Sequence, residues 1–226
     1  MKQINLLLTS CVFLLSMFFS KARAGVGTSG GGHVVVCDGH SLHKVGGHVT
    51  ILDLYEARHV LNLTLRAHQD SLEKELDLLA KQLPIVLGNA HSLPNPLTGD
   101  SLLEWWDNRA QYIPRMQGHT TDLGVVPQLP RSCHFKQIAI FDDSNDIIQV
   151  NNELWQSLDD FNKAALIAHE LIYHERRLSD REASSQTSRF LVGRIFSTEA
   201  IADSNTMLRE YRANHPNGIK SPEEGP

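Results

Sequence analysis

Asp159-Asp160-Phe-Asn-Lys-Ala164-Ala-Leu-Ile-Ala-His169-Glu170-Leu-Ile-Tyr173-His174-Glu175-Arg-Arg-Leu178 is the stretch on which the reading of this chain turns. Its alanine and leucine content favours helix, and Asp159 or Asp160 supplies the side-chain oxygen that caps one. The stretch predicts a helix from Phe161 to about Leu178. Upstream, His134 to Phe141 and Ile147 to Val150 read as two strands joined by the acidic turn Asp142-Asp143-Ser144-Asn145-Asp146. Asn151 or Asn152 then starts a short helix containing Leu154, Trp155 and Leu158. Downstream, Glu182 to Phe196 reads as a further helix, and residues 212–226, polar and interrupted by Pro216, Gly218, Pro222 and Gly225, as a disordered tail.

The first half is organised differently. His33-Val-Val-Val-Cys37 is a short β-branched run closed by Asp38-Gly39, and Val45 to Thr50 is its expected hairpin partner. From Asp53 to Gln82 the leucines recur at three, four or seven, which predicts one amphipathic helix of about 30 residues stopped by Pro84. Residues 84–99 and 114–130 read as loops. Between them, Asp100 or Ser101 caps a helix running through Trp105-Trp106 to Tyr112, with one tryptophan packed inward and the other at a groove. The fold class expected is α+β: a long N-terminal helix, a small antiparallel sheet and a helical C-terminal half.

The chain has 226 residues and a formal charge of −5. Lys2, an apolar run from Leu6 to Phe19 and the small residues of Ala22-Arg23-Ala24 make residues 1–24 a cleavable signal peptide. The apolar run is about 14 residues, short of the ~20 that cross a bilayer, so no stable membrane anchor is expected. A lipoprotein site at Leu8-Thr9-Ser10-Cys11 is rejected, because cleavage there leaves Val12 to Phe19 on the mature chain. Losing Lys2, Lys21 and Arg23 takes the charge from −5 to −8. An acidic mature chain lacks the basic footprint of a nucleic-acid or anionic-lipid binder. Residues 25–211 suit a single globular domain, periplasmic or secreted, its glycine-rich start (residues 25–32) flexible. Cys37 and Cys133 are the two mature cysteines, and in an oxidising compartment they most simply form one disulfide.

His169-Glu170 is the candidate site. Zinc hydrolases place two histidines four apart because such positions lie only ~40° apart around a helix, and a Glu beside the first activates the metal-bound water. Here the position four on is Tyr173, and His174 comes one later, ~140° round a regular helix. A shared ion therefore requires a π-bulge between them. Strand, Asn, short helix, acidic cap and an alanine-rich helix ending in His-Glu resembles the lead-in to the active-site helix of gluzincin-type metallopeptidases. Some of these, such as the dipeptidyl-peptidase III family, use the longer H-E-x-x-x-H spacing. That resemblance implies zinc held by His169, His174 and either Glu182 or Glu199, with Glu170 as catalytic base. The neighbouring glycine and the downstream ligand motif of that family are absent.

A second resemblance covers most of the mature chain. Gly30-Gly-Gly-His-Val-Val-Val-Cys37, Leu52-Asp-Leu-Tyr-Glu-Ala-Arg58, Cys133 to Ala139, Ala165 to Tyr173 and Ser188 to Phe196 look like a family of secreted proteins of predatory and related Gram-negative bacteria. It carries no established activity, and in its pattern a basic residue stands where His174 does here. This resemblance implies that His174 is no ligand. Read on their own, His169 is a core histidine hydrogen-bonded in the interior and Glu170 its neighbour in a polar cluster, with no cofactor expected.

Two functions follow: a non-catalytic or degenerate zincin-like exported protein binding an envelope or extracellular protein, or a zinc-dependent peptide hydrolase using the HELIYH helix. His33, His40, His43 and His48 read as solvated loop residues rather than a metal cluster. Asp142, Ser144, Asp146 and Glu153 have calcium-loop spacing, but Ile147 stands where the turn needs glycine, leaving a plain acidic hairpin turn.

Overall fold

The computed structural model describes residues 32–37, 49–88, 93–116, 126–180, 182 and 184–214. The expected signal peptide (residues 1–24), residues 38–48 with His40, His43 and His48, and the expected tail beyond 214 lie outside them. In chain order the elements are β1 (His33–Cys37), β2 (Val49–Ile51), α1 (Leu52–His59), α2 (Leu72–Leu87), α3 (Gly99–Asp107), β3 (Ala110–Ile113), β4 (Cys133–Gln137), β5 (Ala139–Asp142), β6 (Ile147–Asn151), α4 (Asn152–Ser157), α5 (Asp160–Asp180), α6 (Gln186–Ile195) and α7 (Ser204–Asn214). Among the described residues the fold is mixed, with seven helices and two small sheets.

In the first sheet β1 lies between β2 and β4, antiparallel to both. In the second, β6 pairs antiparallel with β5 and parallel with β3. The run His134 to Phe141 is thus two strands rather than one. Ile138, fully buried between them, donates its N–H to Gly32 O and accepts from Asn151 N, stitching the end of one sheet to the start of the other. Cys37 and Cys133 face each other in the β1–β4 register and are bonded, with an S–S distance of 2.06 Å. His33 belongs to β1, as its place in the β-branched run implies, but it is buried and not the solvated histidine expected. The β5–β6 connection is the plain turn its sequence suggests, with the Asp142 carboxylate accepting from Ser144 N and Asn145 Nδ2.

The 30-residue helix expected from Asp53 to Gln82 is two helices, α1 and α2, with an extended link from Val60 to Ser71. The link's polar groups are met elsewhere. Leu63 N donates to Ala57 O, Arg66 N to Phe196 O, and Thr64 O accepts from Thr198 N. Arg66 lays its guanidinium over Phe161 and Phe196 and ion-pairs at 2.7 Å with the buried Glu75. Asn62 takes a positive φ of 55°, a left-handed conformation Asn tolerates and a helix interior does not. Ser71 then caps α2 through Lys74 N, and the helix runs past Pro84 to Leu87.

Two further expectations are corrected. The tryptophan helix, α3, is capped by Thr98 in a reciprocal pair with Ser101 and ends at Asp107, so Ala110–Ile113 is a strand. Both tryptophans are buried: Trp106 stacks on Trp155 at 5.1 Å, and Trp105 lies 6.4 Å from Phe141. Polar residues 204–214 form α7, which the sequence reading left partly in the tail.

The helix α5 runs through the middle of all this. Asp159 Oδ1 caps its start through Asn162 N at 2.8 Å, and Asn151 caps α4 before it through Leu154 N. Residues 164–173 are buried without interruption, as expected of a helix surrounded on every side.

Candidate functional site

His169 and Glu170 sit in that fully buried stretch and point to different neighbours. The His169 Nδ1–H donates to Asp53 Oδ2 at 2.7 Å, across 116 residues of sequence, with both side chains almost wholly removed from solvent. Asp53 is on the first turn of α1, whose next turn brings Glu56 and Ala57 onto the same side. There α6 comes close: a Cβ on Gly193 would stand 3.0 Å from the Ala57 Cβ, so glycine permits the contact. Arg189 of α6, itself buried, donates from Nε to Glu56 Oε2 at 2.8 Å and from Nη1 to Ser185 Oγ at 3.1 Å. The result is a polar seam through the core in which α1 supplies acids, α6 a guanidinium and α5 an imidazole.

The charges in this seam shift one another. Burial pushes the His169 imidazole down, but the Asp53 carboxylate, through charge and hydrogen bond, and the charge of Glu170 outweigh it. The imidazole is held above its ordinary 6.5. Burial pushes Glu56 above 4.5; Arg189 pulls it back, and the charge of Asp53 adds to the rise.

Glu170 does something else. Its Oε1 accepts the backbone N–H of Gly32 at 2.7 Å, fixing the chain just before β1 against α5. The approach is tight: a Cβ on Gly32 would lie 2.2 Å from Leu166 Cδ1 and 3.1 Å from Glu170 Oε1. Gly32→Ala is therefore expected to destabilise the protein by about 1–3 kcal/mol, the usual cost of overpacking a filled core. Urea denaturation measures this, and an unchanged midpoint would refute the close-contact reading.

The expected zinc residues are placed as follows. Residues 160–180 form a continuous α-helix, so Tyr173, not His174, lies along the same side as His169; the two rings are 6.1 Å apart. His174 stacks on Phe141 at 4.6 Å and brings Nδ1 within 3.6 Å of Asp143 Oδ1 in the β5–β6 turn. Glu182 is ion-paired with Arg176 at 2.8 Å, and Glu199 is exposed. His169, His174 and Glu182 each have a separate partner, and among the described residues no group of three His, Cys, Asp or Glu side chains is arranged to hold a metal. The residues do not fit a zinc ion in this arrangement. The Asp–His pair is also the orienting half of a nucleophilic triad, but His169 Nε2 has no hydroxyl within hydrogen-bond reach among the described residues.

Asp53, Glu56 and Arg189 were not singled out as site residues from sequence. The available signal was the Asp-x-x-Glu spacing on α1, which puts two acids on one side of a helix otherwise carrying Leu52, Leu54 and Ala57 inward. In comparisons with known proteins, the chain matches no family model, no curated protein and no solved structure. Among the described residues no helix is long and apolar enough to cross a membrane.

Proposed function

We propose that this is an exported, non-catalytic protein of distant zincin-like ancestry that acts by binding a protein of the envelope or the cell exterior. In this reading the His-Glu pair of α5 is an internal fastening rather than an active site. His169 ties α5 to α1, and Glu170 ties it to the start of β1. The observation that carries the reading is the Glu170–Gly32 hydrogen bond. A hydrolase needs that carboxylate facing a metal-bound water, to take its proton. Here one oxygen is committed to the main chain, inside a helix segment closed to solvent. The Cys37–Cys133 disulfide supports export, because such bonds persist in oxidising compartments.

The test is metal content and peptidase activity on purified mature protein. After dialysis against zinc and then buffer, elemental analysis should find far less than one zinc per chain. A quenched-fluorescent peptide library should be cut no faster by the wild type than by Glu170→Gln. One retained zinc per chain, with cleavage abolished by Glu170→Gln, would establish the hydrolase instead.

A further inference from the structure

Beside the buried seam, the neighbouring side of α1 borders a cavity of about 210 Å³. It opens between α1, the extended link and the start of α5, and it takes no part in the proposed fastening. Leu65 and the Tyr55 ring, both half-buried, give it its apolar surface, while Leu54 and Phe161 lie almost wholly buried behind them. Two imidazoles form its walls, each held by a ring contact. His59 lies against Tyr55 with centroids 4.4 Å apart, and His68 stacks flat on Phe161 at 4.1 Å and 3°. The exposed Arg58 completes the rim.

The one carboxylate on the lining is Asp159. Its Oδ1 already accepts from Asn162 N and Nδ2, and its Oδ2 faces His68 Nδ1 at 3.9 Å. That carboxylate therefore has neighbours of its own on its side of the cavity. On the opposite side, neither Arg58 nor His59 meets a carboxylate among the described residues. Both stand in the last turn of α1, where a cation is favoured by the helix dipole, so this accounts for their position. It does not account for the hollow beside them, which Leu65 and Tyr55 line.

We propose that this cavity binds a small organic acid, its carboxylate held by Arg58 with His59 and its apolar body resting on Leu65 and the Tyr55 ring. A guanidinium presents paired N–H donors matched to the two oxygens of a carboxylate, which makes it the selective element. The volume falls below the ~300–1,000 Å³ of drug-sized sites and limits the occupant to a compact molecule.

Titration calorimetry of the full mature protein with benzoate, acetate and benzamide tests this. Benzoate should saturate with a Kd of about 1 mM or tighter. Acetate, lacking the apolar body, should bind several-fold more weakly, and neutral benzamide should give no saturation in the same range. Arg58→Gln should weaken benzoate at least ~10-fold, the loss of a charge-assisted bidentate contact. Because Arg58 is exposed, the variant should melt with the wild type, so a loss of binding is not a loss of fold. Benzamide binding as well as benzoate, an unchanged affinity in Arg58→Gln, or no saturable benzoate signal up to about 20 mM would each overturn the proposal.

Discussion

Asp53→Ala is expected to lower the free energy of unfolding by about 3 kcal/mol, the low end of the range for breaking a buried charged pair. The carboxylate is fully buried and bonded to an equally buried imidazole, so its removal leaves His169 without its partner and opens a hole between α1 and α5. The cost stays at the low end because an imidazole, unlike a guanidinium, can shed its proton when its counter-charge goes. Asp53→Asn keeps the volume and should cost less. The pH dependence has a definite sign. His169 holds its proton above 6.5 in the folded state, so the folded chain binds more protons than the unfolded one in that range. Its contribution is fully present below about pH 6.5 and is lost as pH rises through the raised folded value. Glu56, raised above 4.5, acts in the same direction at lower pH: its contribution is present below about 4.5 and fades above. Urea midpoints measured upward from about pH 6.5 should therefore fall for the wild type and fall less for Asp53→Asn. Parallel slopes would show that the pair does not set this dependence.

The second large effect is at the disulfide. Cys37 and Cys133 are 96 positions apart, and opening a loop of that size costs roughly 4–5 kcal/mol in the chain-entropy model. The double variant Cys37→Ala, Cys133→Ala should lose most of that amount, since the β1–β4 hydrogen bonds remain to hold the strands together only once folding has occurred. Thiol labelling of unreduced, denatured protein lacking residues 1–24 should find no reactive cysteine. Two labelled thiols per chain, or a double variant within about 1 kcal/mol of wild type, would contradict the bond's role.

Much of the second half was legible in the sequence because its signals are local. Asn151 and Asp159 announce the starts of α4 and α5, and Asp142 to Asp146 announces a turn; each capping contact spans two or three residues. The cysteine pair was legible by elimination. The break at Val60 to Ser71 was hidden because Leu61 and Leu65 keep helical spacing while the backbone bonds to residues 196 and 198, far along the chain. Strand β3 was hidden for a similar reason: Ala110–Ile113 continues a helical-looking run, and only its parallel alignment with β6 makes it a strand. The site was half legible. His169-Glu170 was found by its motif, but what the pair does depends on Asp53 and Gly32, 116 and 138 residues away, and no spacing rule reaches that far.

The position of Gly32 and β1 also bears on the order in which the molecule can assemble. A chain that emerges from its N-terminus presents β1 before the strands and helices that follow it. Its short-range partner, β2, arrives within about twenty residues, but β4 begins at Cys133 and the Glu170 carboxylate comes later still. Non-local contacts of this kind slow folding, because the loop they close must be ordered before they form. Until β4 has emerged, the Val34-Val35-Val36 strand has one open edge, which is the kind of surface that pairs with the wrong neighbour.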